Sequence, residues 1–376
     1  MRRTVLHPAS LSALALAAAP AWAADPVTLA PVEVTATRLP TTQAAAGVAI
    51  SVVTQDDIER AGHRTVADAL ETLPGVTIAR TGAPGAATSV FIRGLSGDGV
   101  LVLIDGVPVN DPSSTGGGFD FATLEAASVE RIEVLRGAQS TLWGSGAEAG
   151  VIAITTKRGT TGVQGSFFVE GGSYGTFRTG GTASGASEIG DFSVSATRTS
   201  IDGFSSYKSA DPDDDGTSNL TINARAGVNL PGDGRLGMVL RRSESSTDFD
   251  DSFGSGVPSS DARELSGALT FDMPVWDDRA DISAQAGYAR IERSSDDSGV
   301  VQRDYRGERR FARVQADVEA NDWNTVTFGA EHERVTGTGN DYTFFGPGMG
   351  RHSYSISSAF GLWESRPVDG LTLSGG

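Results

Sequence analysis

From Gly165 onward, apolar residues recur at every second position over stretches of about ten residues. In the clearest stretch, residues 220–230, Leu, Ile, Ala and Val alternate with Thr, Asn, Arg and Gly, and the pattern returns at 282–288 and 312–320. Strands of this length with one apolar face are typical of a membrane β-barrel with a polar interior. A soluble β-sandwich is the alternative. Beyond the N-terminal region no segment approaches ~18 consecutive apolar residues, so a membrane crossing requires a closed barrel.

The connections between these strands favour the membrane barrel. Short turns alternate along the chain with longer polar loops, as in outer-membrane barrels. The short turns lie at 231–234, 274–278, 321–322 and 367–370, and the long loops at 203–216, 248–261, 294–300 and 338–350. We count about ten strands and the start of another after Leu371. The chain is therefore expected to hold part of a larger barrel.

The N-terminus has the features of a secretory signal peptide. Arg2 and Arg3 precede a short apolar run at 11–19, and Ala21-Trp22-Ala23 places small residues two apart. We predict a signal peptide at residues 1–23 and export from the cytoplasm of a Gram-negative bacterium. A buried N-terminal helix is the alternative.

Composition excludes several classes of function. The chain has 376 residues with no Cys, which rules out a disulfide scaffold, a Cys-ligated zinc site and a thiol nucleophile. With 30 Lys+Arg against 47 Asp+Glu, the net charge of −17 argues against a nucleic-acid partner. The four His do not pair at metal-ligand spacing. Residues 144–149 fit a dinucleotide-binding pattern loosely, but they precede a strand rather than a helix. We predict no catalytic site and no enzyme activity.

Residues 48–158 mix helical and strand patterns and predict a small α+β domain after a flexible leader at 24–47. Thr54 is expected to cap a helix that Gly62 ends, and Thr65 with Asp68 forms a capping box for a second helix that Pro74-Gly75 stops. Strands are expected at 48–53, 89–92, 100–104, 131–135 and 151–155. The run 100–104 is apolar at every position, as in a central strand.

This domain resembles the plug of TonB-dependent outer-membrane receptors. Five segments match the family in order: Leu73-Pro74-Gly75-Val76, Val90-Phe91-Ile92-Arg93-Gly94, residues 100–107 (VLVLIDGV), residues 129–137 (VERIEVLRG), and Trp143-Gly144-Ser145 followed by residues 150–154 (GVIAI). Ala153 stands where the family more often has Asn. Within the family, the cobalamin transporters are the most similar group.

The resemblance implies a membrane β-barrel of about 22 antiparallel strands around an N-terminal α+β plug, of which residues 159–376 hold about the first half. The segment Val32, Glu33, Val34, Thr35 and Ala36 is similar to the family's TonB box. An extended segment on a mobile leader can add to the edge of a partner's sheet. The implied partners are TonB with its inner-membrane energising complex, outer-membrane lipid, and a corrinoid or siderophore substrate.

Two acidic segments fall in neighbouring long loops. Asp211 to Asp215 places four carboxylates in five residues, and Asp248, Asp250, Asp251 and Asp261 are assigned to the loop between strands five and six. An EF-hand is excluded because the flanks are strands and Ile222 takes the twelfth position. In the cobalamin transporters, similar loops form a calcium-ordered platform. The resemblance implies Ca²⁺ ligands at Asp211, Asp213, Asp215, Asp250 and Asp261, while Phe249 and Ser205 depart from the pattern. A solvated acidic loop is the alternative.

The resemblance also implies substrate contacts at Ala87, Ser89, Ser96, Ser114, Thr115 and Asp251. The sequence thus predicts a TonB-dependent outer-membrane transporter of a scarce bulky solute, with a corrinoid as substrate. A ferric-siderophore receptor of the same family is the alternative. Siderophore sites favour basic or aromatic clusters, whereas these loops are acidic and rich in Ser and Gly, which favours the corrinoid. A secreted calcium-binding adhesin is a further alternative, although the glycine-aspartate nonapeptide repeats expected of it do not occur in the sequence.

Overall fold

The computed structural model describes residues 33–34, 41–42, 48–114, 116–205, 214–250, 258–297, 300–342, 350–368 and 371–376. The predicted signal peptide and most of the leader lie outside these residues. Within the leader, β1 (Glu33–Val34) and β2 (Thr41–Thr42) form an antiparallel pair. In the described ranges, helices are all too short or too polar to cross a membrane.

The plug consists of short strands and helices in the order expected of an α+β domain. Its elements are β3 (Ala49–Thr54), α1 (Gln55–Ala61), α2 (Val66–Glu71), β4 (Val76–Arg80), β5 (Thr88–Ile92), β6 (Val100–Ile104), β7 (Val107–Pro108), β8 (Val129–Arg136), α3 (Ser140–Trp143) and β9 (Gly150–Thr156). Five of the strands form one sheet in the order β3-β8-β9-β6-β7, in which β6 and β9 are parallel. The strands β4 and β5 form a separate hairpin.

Local sequence signals explain both helices at the start of the plug. Thr54 and Asp57 form a capping box on α1, which ends at Gly62 in the left-handed conformation (φ 70°). Thr65 and Asp68 do the same for α2. Both predicted caps are confirmed. However, α2 ends at Glu71, before the predicted stop at Pro74-Gly75.

The plug core lies against the five-stranded sheet. Every residue of β6 is buried, and the strand lies between β9 and β7, as its continuous apolar run predicted. Gly150 begins β9 with φ 156°, where a Cβ would overlap the carbonyl oxygen of Leu135 on the neighbouring strand. Glycine at this position therefore allows β8 and β9 to pair closely.

The rest of the chain forms one antiparallel sheet whose eleven strands follow chain order. They are β10 (Gly162–Gly171), β11 (Phe177–Ala186), β12 (Gly190–Ile201), β13 (Thr217–Asn229), β14 (Arg235–Asp248), β15 (Pro258–Val275), β16 (Ala280–Asp297), β17 (Val300–Asn321), β18 (Asn324–Asp341), β19 (Gly350–Val368) and β20 (Leu371–Gly375). Among the described residues β10 and β20 do not pair, so the sheet is open. This architecture confirms the predicted antiparallel sheet with an N-terminal plug.

Several strands extend further than the sequence pattern indicated. The predicted loop 248–261 is wrong at its end, because β15 begins at Pro258 and includes Asp261. The predicted loop 294–300 is also wrong, because β16 continues to Asp297 and β17 begins at Val300. The ends of β15 (Ser259–Asp261) and β16 (Ser294–Asp297) are polar on both faces, so they lack the apolar alternation that marks a strand. β17 begins with two consecutive apolar residues, Val300 and Val301, which do not alternate either.

The two faces of the sheet differ in polarity. On β13, Thr217, Asn219, Thr221 and Asn223 face the plug and are buried, whereas Ile222 is 40% exposed on the other face. The outer face continues with exposed apolar residues on the neighbouring strands, including Leu240 and Leu269. A polar inner face and an apolar outer face are typical of a membrane barrel and the reverse of a soluble sandwich, which buries its apolar faces.

Candidate functional site

One end of the sheet carries the long connections, and three plug segments lie toward it. We call it the long-loop end, where 202–216 joins β12 to β13 and 249–257 joins β14 to β15. The first plug segment is the β4–β5 hairpin tip, at 81–87. Its Gly85 lies against Thr217, the first residue of β13: a Cβ on Gly85 would lie 2.5 Å from Thr217 Oγ1. The hydroxyl of Thr247, near the end of β14, donates to Gly85 O at 3.4 Å. The hairpin tip therefore contacts both β13 and β14, the neighbouring strands next to the two acidic loops.

The second and third plug segments, 96–99 and 111–121, pack against each other and against the hairpin. Gly116 has φ 84° and lies so close to the Asp98 carboxylate that a side chain at this position would overlap it. Asp120 Oδ1 accepts the backbone N–H groups of Thr88 and Ala122, each at 2.9 Å. These contacts join the segments that carry Ala87, Ser89, Ser96 and Ser114.

Asp120 is an ionisable group of this region that is not among the predicted site residues. One edge of its side chain is exposed, but the surrounding atoms remove enough water to raise the pKa of Asp120 above its usual value. The hydrogen bonds from Thr88 and Ala122 and the charge of Arg293 act in the opposite direction. An Asp whose carboxylate accepts the backbone N–H two residues later is common in turns, so the sequence carried only a weak signal that Asp120 has a functional role.

The predicted substrate residues fall into separate groups. Ala87, Ser89 and Ser96 are exposed, and Ser114 is half-buried with its hydroxyl donating to Asp111 O at 3.0 Å. Ser96 lines a cavity of about 640 Å³ between the plug and strands β17 to β19, and the other three do not. Thr115 and Asp251 lie outside the described residues.

The two acidic loops meet, as the strand count predicted. Ser205 Oγ donates to the Asp250 carboxylate at 3.3 and 3.4 Å, which connects the β12–β13 and β14–β15 loops. Asp248 N donates to Gly216 O at 2.8 Å, and Asp215 is 5% exposed. Ser205, which departs from the family pattern, thus contacts Asp250.

Asp261 does not belong to this loop. It lies within β15, opposite Ser246, on the outer face of the sheet that also carries Arg263. Asp211 and Asp213 lie outside the described residues. Among those that the structure describes, there is no group of three or more His, Cys, Asp or Glu arranged to hold a metal.

Three buried or half-buried ion pairs attach the plug to the inner face of the sheet. Their distances are 2.6 Å for Arg178–Glu125, 2.9 Å for Arg225–Asp105 and 2.7 Å for Arg293–Asp111. Asp105 and Gly106 form a tight turn with positive φ at both residues (48° and 79°). This turn directs the Asp105 carboxylate toward the large antiparallel sheet, where it contacts Arg225. These pairs are not apparent from the sequence, although Asp105 falls within a recognised plug motif.

Among the described residues, one small cluster of buried apolar side chains joins the plug to the sheet. Val107, after the Asp105-Gly106 turn, packs with Val239, Ala268, Ala289 and Phe311 of the sheet. The other contacts between the plug and the large sheet described above are hydrogen bonds and ion pairs.

Comparison with known families decides the classification. A family model described as "TonB-dependent Receptor Plug Domain" matches residues 42–151, close to the predicted plug of 48–158. The chain is similar to the TonB-dependent receptors, in its plug and in the fold of its sheet. Members of this family are β-barrel proteins of the Gram-negative outer membrane, and the family is one of transport receptors rather than enzymes.

Two curated proteins named vitamin B12 transporter BtuB resemble this chain. The protein from Photobacterium profundum is 34% identical over 207 residues, which cover 54% of this chain and 34% of the relative. The protein from Vibrio vulnificus is 42% identical over 125 residues, covering 33% of this chain and 20% of the relative. The matched stretches thus span about a third or less of these relatives.

Solved structures show the same fold. The siderophore receptor PirA from Acinetobacter baumannii superposes on this chain with a TM-score of 0.68 at 19% identity, over 87% of this chain and 56% of that chain. At this identity the likeness concerns the fold. It confirms the arrangement of a plug inside an antiparallel sheet.

Proposed function

We propose that a receptor carrying this sequence imports a scarce, bulky solute across the outer membrane with energy delivered by TonB, and that the solute is cobalamin or a related corrinoid. The observation that carries the proposal is the similarity to two vitamin B12 transporters, which reaches 42% over 125 residues. The siderophore receptor PirA, at 19% identity, supports the fold without favouring its own substrate.

The proposed coupling segment is Val32 to Ala36. Glu33 and Val34 already have the extended backbone that strand addition needs, and they pair with Thr41 and Thr42. A partner strand would replace β2 as the neighbour of β1, because β1 and β2 share only two residue pairs in register. The pairing is weak enough to exchange, because isolated two-stranded ribbons are marginally stable.

The coupling segment is tested by replacing Val34 with Pro. Pro removes the backbone donor that strand addition uses, so we expect uptake of radiolabelled cyanocobalamin to fall at least tenfold while surface binding stays within twofold. Val34→Ile keeps the donor and the β-branched shape and should transport normally. Normal uptake by Val34→Pro would contradict the role of this segment.

We propose a substrate site formed by Ala87, Ser89, Ser96, Ser114, Thr115 and Asp251, ordered by Ca²⁺ bound to Asp211, Asp213, Asp215 and Asp250. The contact between Ser205 and Asp250 supports this, because it brings oxygen donors of both loops together. Carboxylate and hydroxyl oxygens suit a hard cation such as Ca²⁺. Asp261 is left out of the proposed ligand set because it lies on the outer face of β15.

The calcium proposal is tested with Asp213→Asn and Asp215→Asn together, in the receptor with a complete barrel. Calcium should tighten cyanocobalamin binding at least tenfold in the unmodified receptor, and less than twofold in the double variant, because both Asn residues keep the shape but lose the charge. Asp233→Asn with Asp278→Asn, in turns at the opposite end of the sheet, is the matched control.

Calorimetry with and without a chelator distinguishes the proposals. If corrinoid binding does not depend on calcium, the proposed calcium site is wrong and the proposed corrinoid substrate stands. Binding of a ferric siderophore in preference to cyanocobalamin would overturn the substrate. Either result leaves TonB-coupled import to be judged by the Val34 variants.

A further inference from the structure

A basic cavity lies between the plug and the large sheet, at the end of the sheet that carries the short turns. Its volume is about 380 Å³. On the sheet it is lined by residues such as Gly237 and Asp272, which lie close to the turns at 230–234 and 276–279. The plug contributes the Asp105-Gly106 turn and Trp143. We call it the arginine cavity, because five arginines line it: Arg131, Arg158, Arg225, Arg235 and Arg313.

Two glycines on the inner face of the sheet make room for this cavity. Gly227 of β13 and Gly237 of β14 are partners in the strand register. A Cβ on Gly227 would overlap the guanidinium of Arg235, and a Cβ on Gly237 would lie 2.4 Å from Thr270 Oγ1. Because Gly227 has no side chain, Arg235 extends across it and contacts Asp191 of β12. Side chains at the two glycines would therefore displace the arginine or fill the cavity.

The lining of the arginine cavity is positively charged on an acidic chain. Against the five arginines it holds two carboxylates, Asp105 and Asp272, which leaves three excess positive charges (5 − 2). The whole chain has a net charge of −17. Arg225 is paired with Asp105 at 2.9 Å. Within the described part of the chain the Arg158 guanidinium takes part in no ion pair, and Glu130 accepts the backbone N–H of Arg158 at 3.2 Å.

Arg158 lies near other positive charges. Its side chain is exposed at the mouth of the cavity, but the surrounding atoms remove part of its water. This loss of water, and then the charges of Arg225 and Arg235, lower the pKa of Arg158 below its usual value, while Glu130 and Asp191 act in the opposite direction. An anion bound among the three guanidinium groups would offset their mutual repulsion.

The arginine cavity adjoins the cavity of about 640 Å³ that Ser96 lines. Trp143 and Arg313 line both cavities, and the Arg313 guanidinium lies 5.7 Å from the centre of the Trp143 ring. The larger cavity has the opposite charge, since two arginines face four carboxylates there: Arg309 and Arg313, and Asp98, Glu148, Glu331 and Glu333. An anionic group that moved from the larger cavity toward the short turns would therefore pass from an acidic region into a basic one.

We propose that the arginine cavity binds a phosphate group, and that during import this group is the phosphodiester of the corrinoid. Planar guanidinium groups bind phosphate oxygens through two parallel hydrogen bonds. Leu103, Ile154 and Trp143 line the same cavity and suit the aromatic base attached to that phosphodiester. The cavity holds this one part of the solute, because its volume lies near the lower limit of about 300 Å³ for small-molecule sites. The phosphate site follows from the cavity alone, whereas the corrinoid as its source rests on the proposed function.

Binding of inorganic phosphate to the receptor with a complete barrel tests the site without any corrinoid. Calorimetry at low ionic strength measures it, because salt screens exposed charges. We expect Arg158→Gln to weaken phosphate binding at least tenfold, since it removes charge-assisted hydrogen bonds. Arg158→Lys keeps the charge but loses the bidentate geometry and should lie between the two. Arg313→Gln removes a guanidinium from another side of the cavity, should show the same loss, and decides the question if Arg158→Gln does not insert.

The matched control for phosphate binding is Arg279→Gln. Arg279 is an exposed arginine of the turn between β15 and β16, at the same end of the sheet but outside the lining of the cavity. This variant should bind phosphate within twofold of the unmodified receptor. Absence of phosphate binding by the unmodified receptor, or equal losses in the cavity and control variants, would overturn the site.

Two corrinoids distinguish the sources of the phosphate. Cyanocobalamin carries the phosphodiester with its base, whereas dicyanocobinamide lacks both. In Arg158→Gln we expect uptake of radiolabelled cyanocobalamin to slow at least fivefold and uptake of dicyanocobinamide to change less than twofold, because only the first solute loses a binding group. Equal effects on both would overturn the corrinoid as the source and leave free phosphate as the ligand. Uptake of neither corrinoid by the unmodified receptor would contradict the proposed function, and phosphate calorimetry would then decide the site by itself.

Discussion

Glu125 of the plug binds two side chains of the sheet at once. Its carboxylate accepts Arg178 Nη2 and Thr199 Oγ1, each at 2.6 Å, and the side chains of Glu125 and Arg178 are each 6% exposed. Such a pair contributes to the position of the plug more than to stability, because desolvation offsets much of the Coulomb attraction. Breaking it from one side is costly, since the remaining charge stays buried.

Glu125→Gln is therefore expected to destabilise a refolded receptor by about 2 kcal/mol. The value lies below the usual range for a broken buried pair because Arg178 retains its contact with Glu170. Urea unfolding monitored by tryptophan fluorescence measures the change. The control is Glu71→Gln, whose exposed pair with Arg80 should contribute less than about 0.5 kcal/mol. Equal effects of the two variants would contradict the anchoring role of Glu125.

Contacts of this kind cannot be predicted from local sequence patterns. Arg178 and Glu125 lie 53 residues apart, and Arg293 and Asp111 lie 182 apart. Neither periodicity nor capping carries information over such separations. The family resemblance identified the segment that contains Asp105. Its partner Arg225, however, has the sequence pattern of any polar residue on an alternating strand.

At the scale of elements, α1 depends on the charge of Asp57. Hydrogen bonds from the Thr54 side chain and backbone lower the pKa of Asp57 below its usual value of 3.8. The folded protein therefore binds that proton less readily than the unfolded chain. The capping contribution is fully present above about pH 4 and is lost as the pH falls through the lowered value.

Asp57→Ala should remove this contribution, at about 1 kcal/mol, and with it part of the acid sensitivity of the plug. We expect the urea midpoint of the unmodified protein to fall between pH 5 and pH 3 by more than that of Asp57→Ala. Asp56→Ala, at an exposed position of the same helix, should behave like the unmodified protein. A pH dependence unaffected by Asp57→Ala would show that the cap does not carry the effect.

The elements that the sequence predicted well are those with a local signal. The caps at Thr54 and Thr65 and the alternation of β13 depend on residues within one turn or one strand. Strand ends were missed where both faces are polar, as at the long-loop ends of β15 and β16, because register with a neighbour sets their length. The placement of Asp261 was wrong for the same reason.

The whole molecule presents an open sheet around a plug. In the described residues, β10 and β20 each pair on one side only. Unpaired backbone groups have no hydrogen-bonding partner in hydrocarbon, where each costs several kcal/mol. The outer face of this sheet is apolar, so the edges would enter the membrane together with it.

We therefore expect the 376-residue chain alone not to form a heat-modifiable, membrane-inserted barrel. Refolding into vesicles followed by gel electrophoresis of unheated samples and protease digestion measures this. A protease-resistant species with shifted mobility would contradict the expectation. A receptor with a complete barrel, refolded in parallel, is the positive control.

The position of β3 has a mechanical consequence. This six-residue strand is the first element of the plug after the leader, and it lies at the edge of its sheet, paired with β8. Tension applied through the leader therefore reaches β3 before any other strand of the plug. A load that peels the strand breaks its cross-strand bonds one pair at a time and leaves β8, β9, β6 and β7 in register. The plug can thus yield in a first, partial step that detaches β3 and leaves the other four strands of its sheet paired.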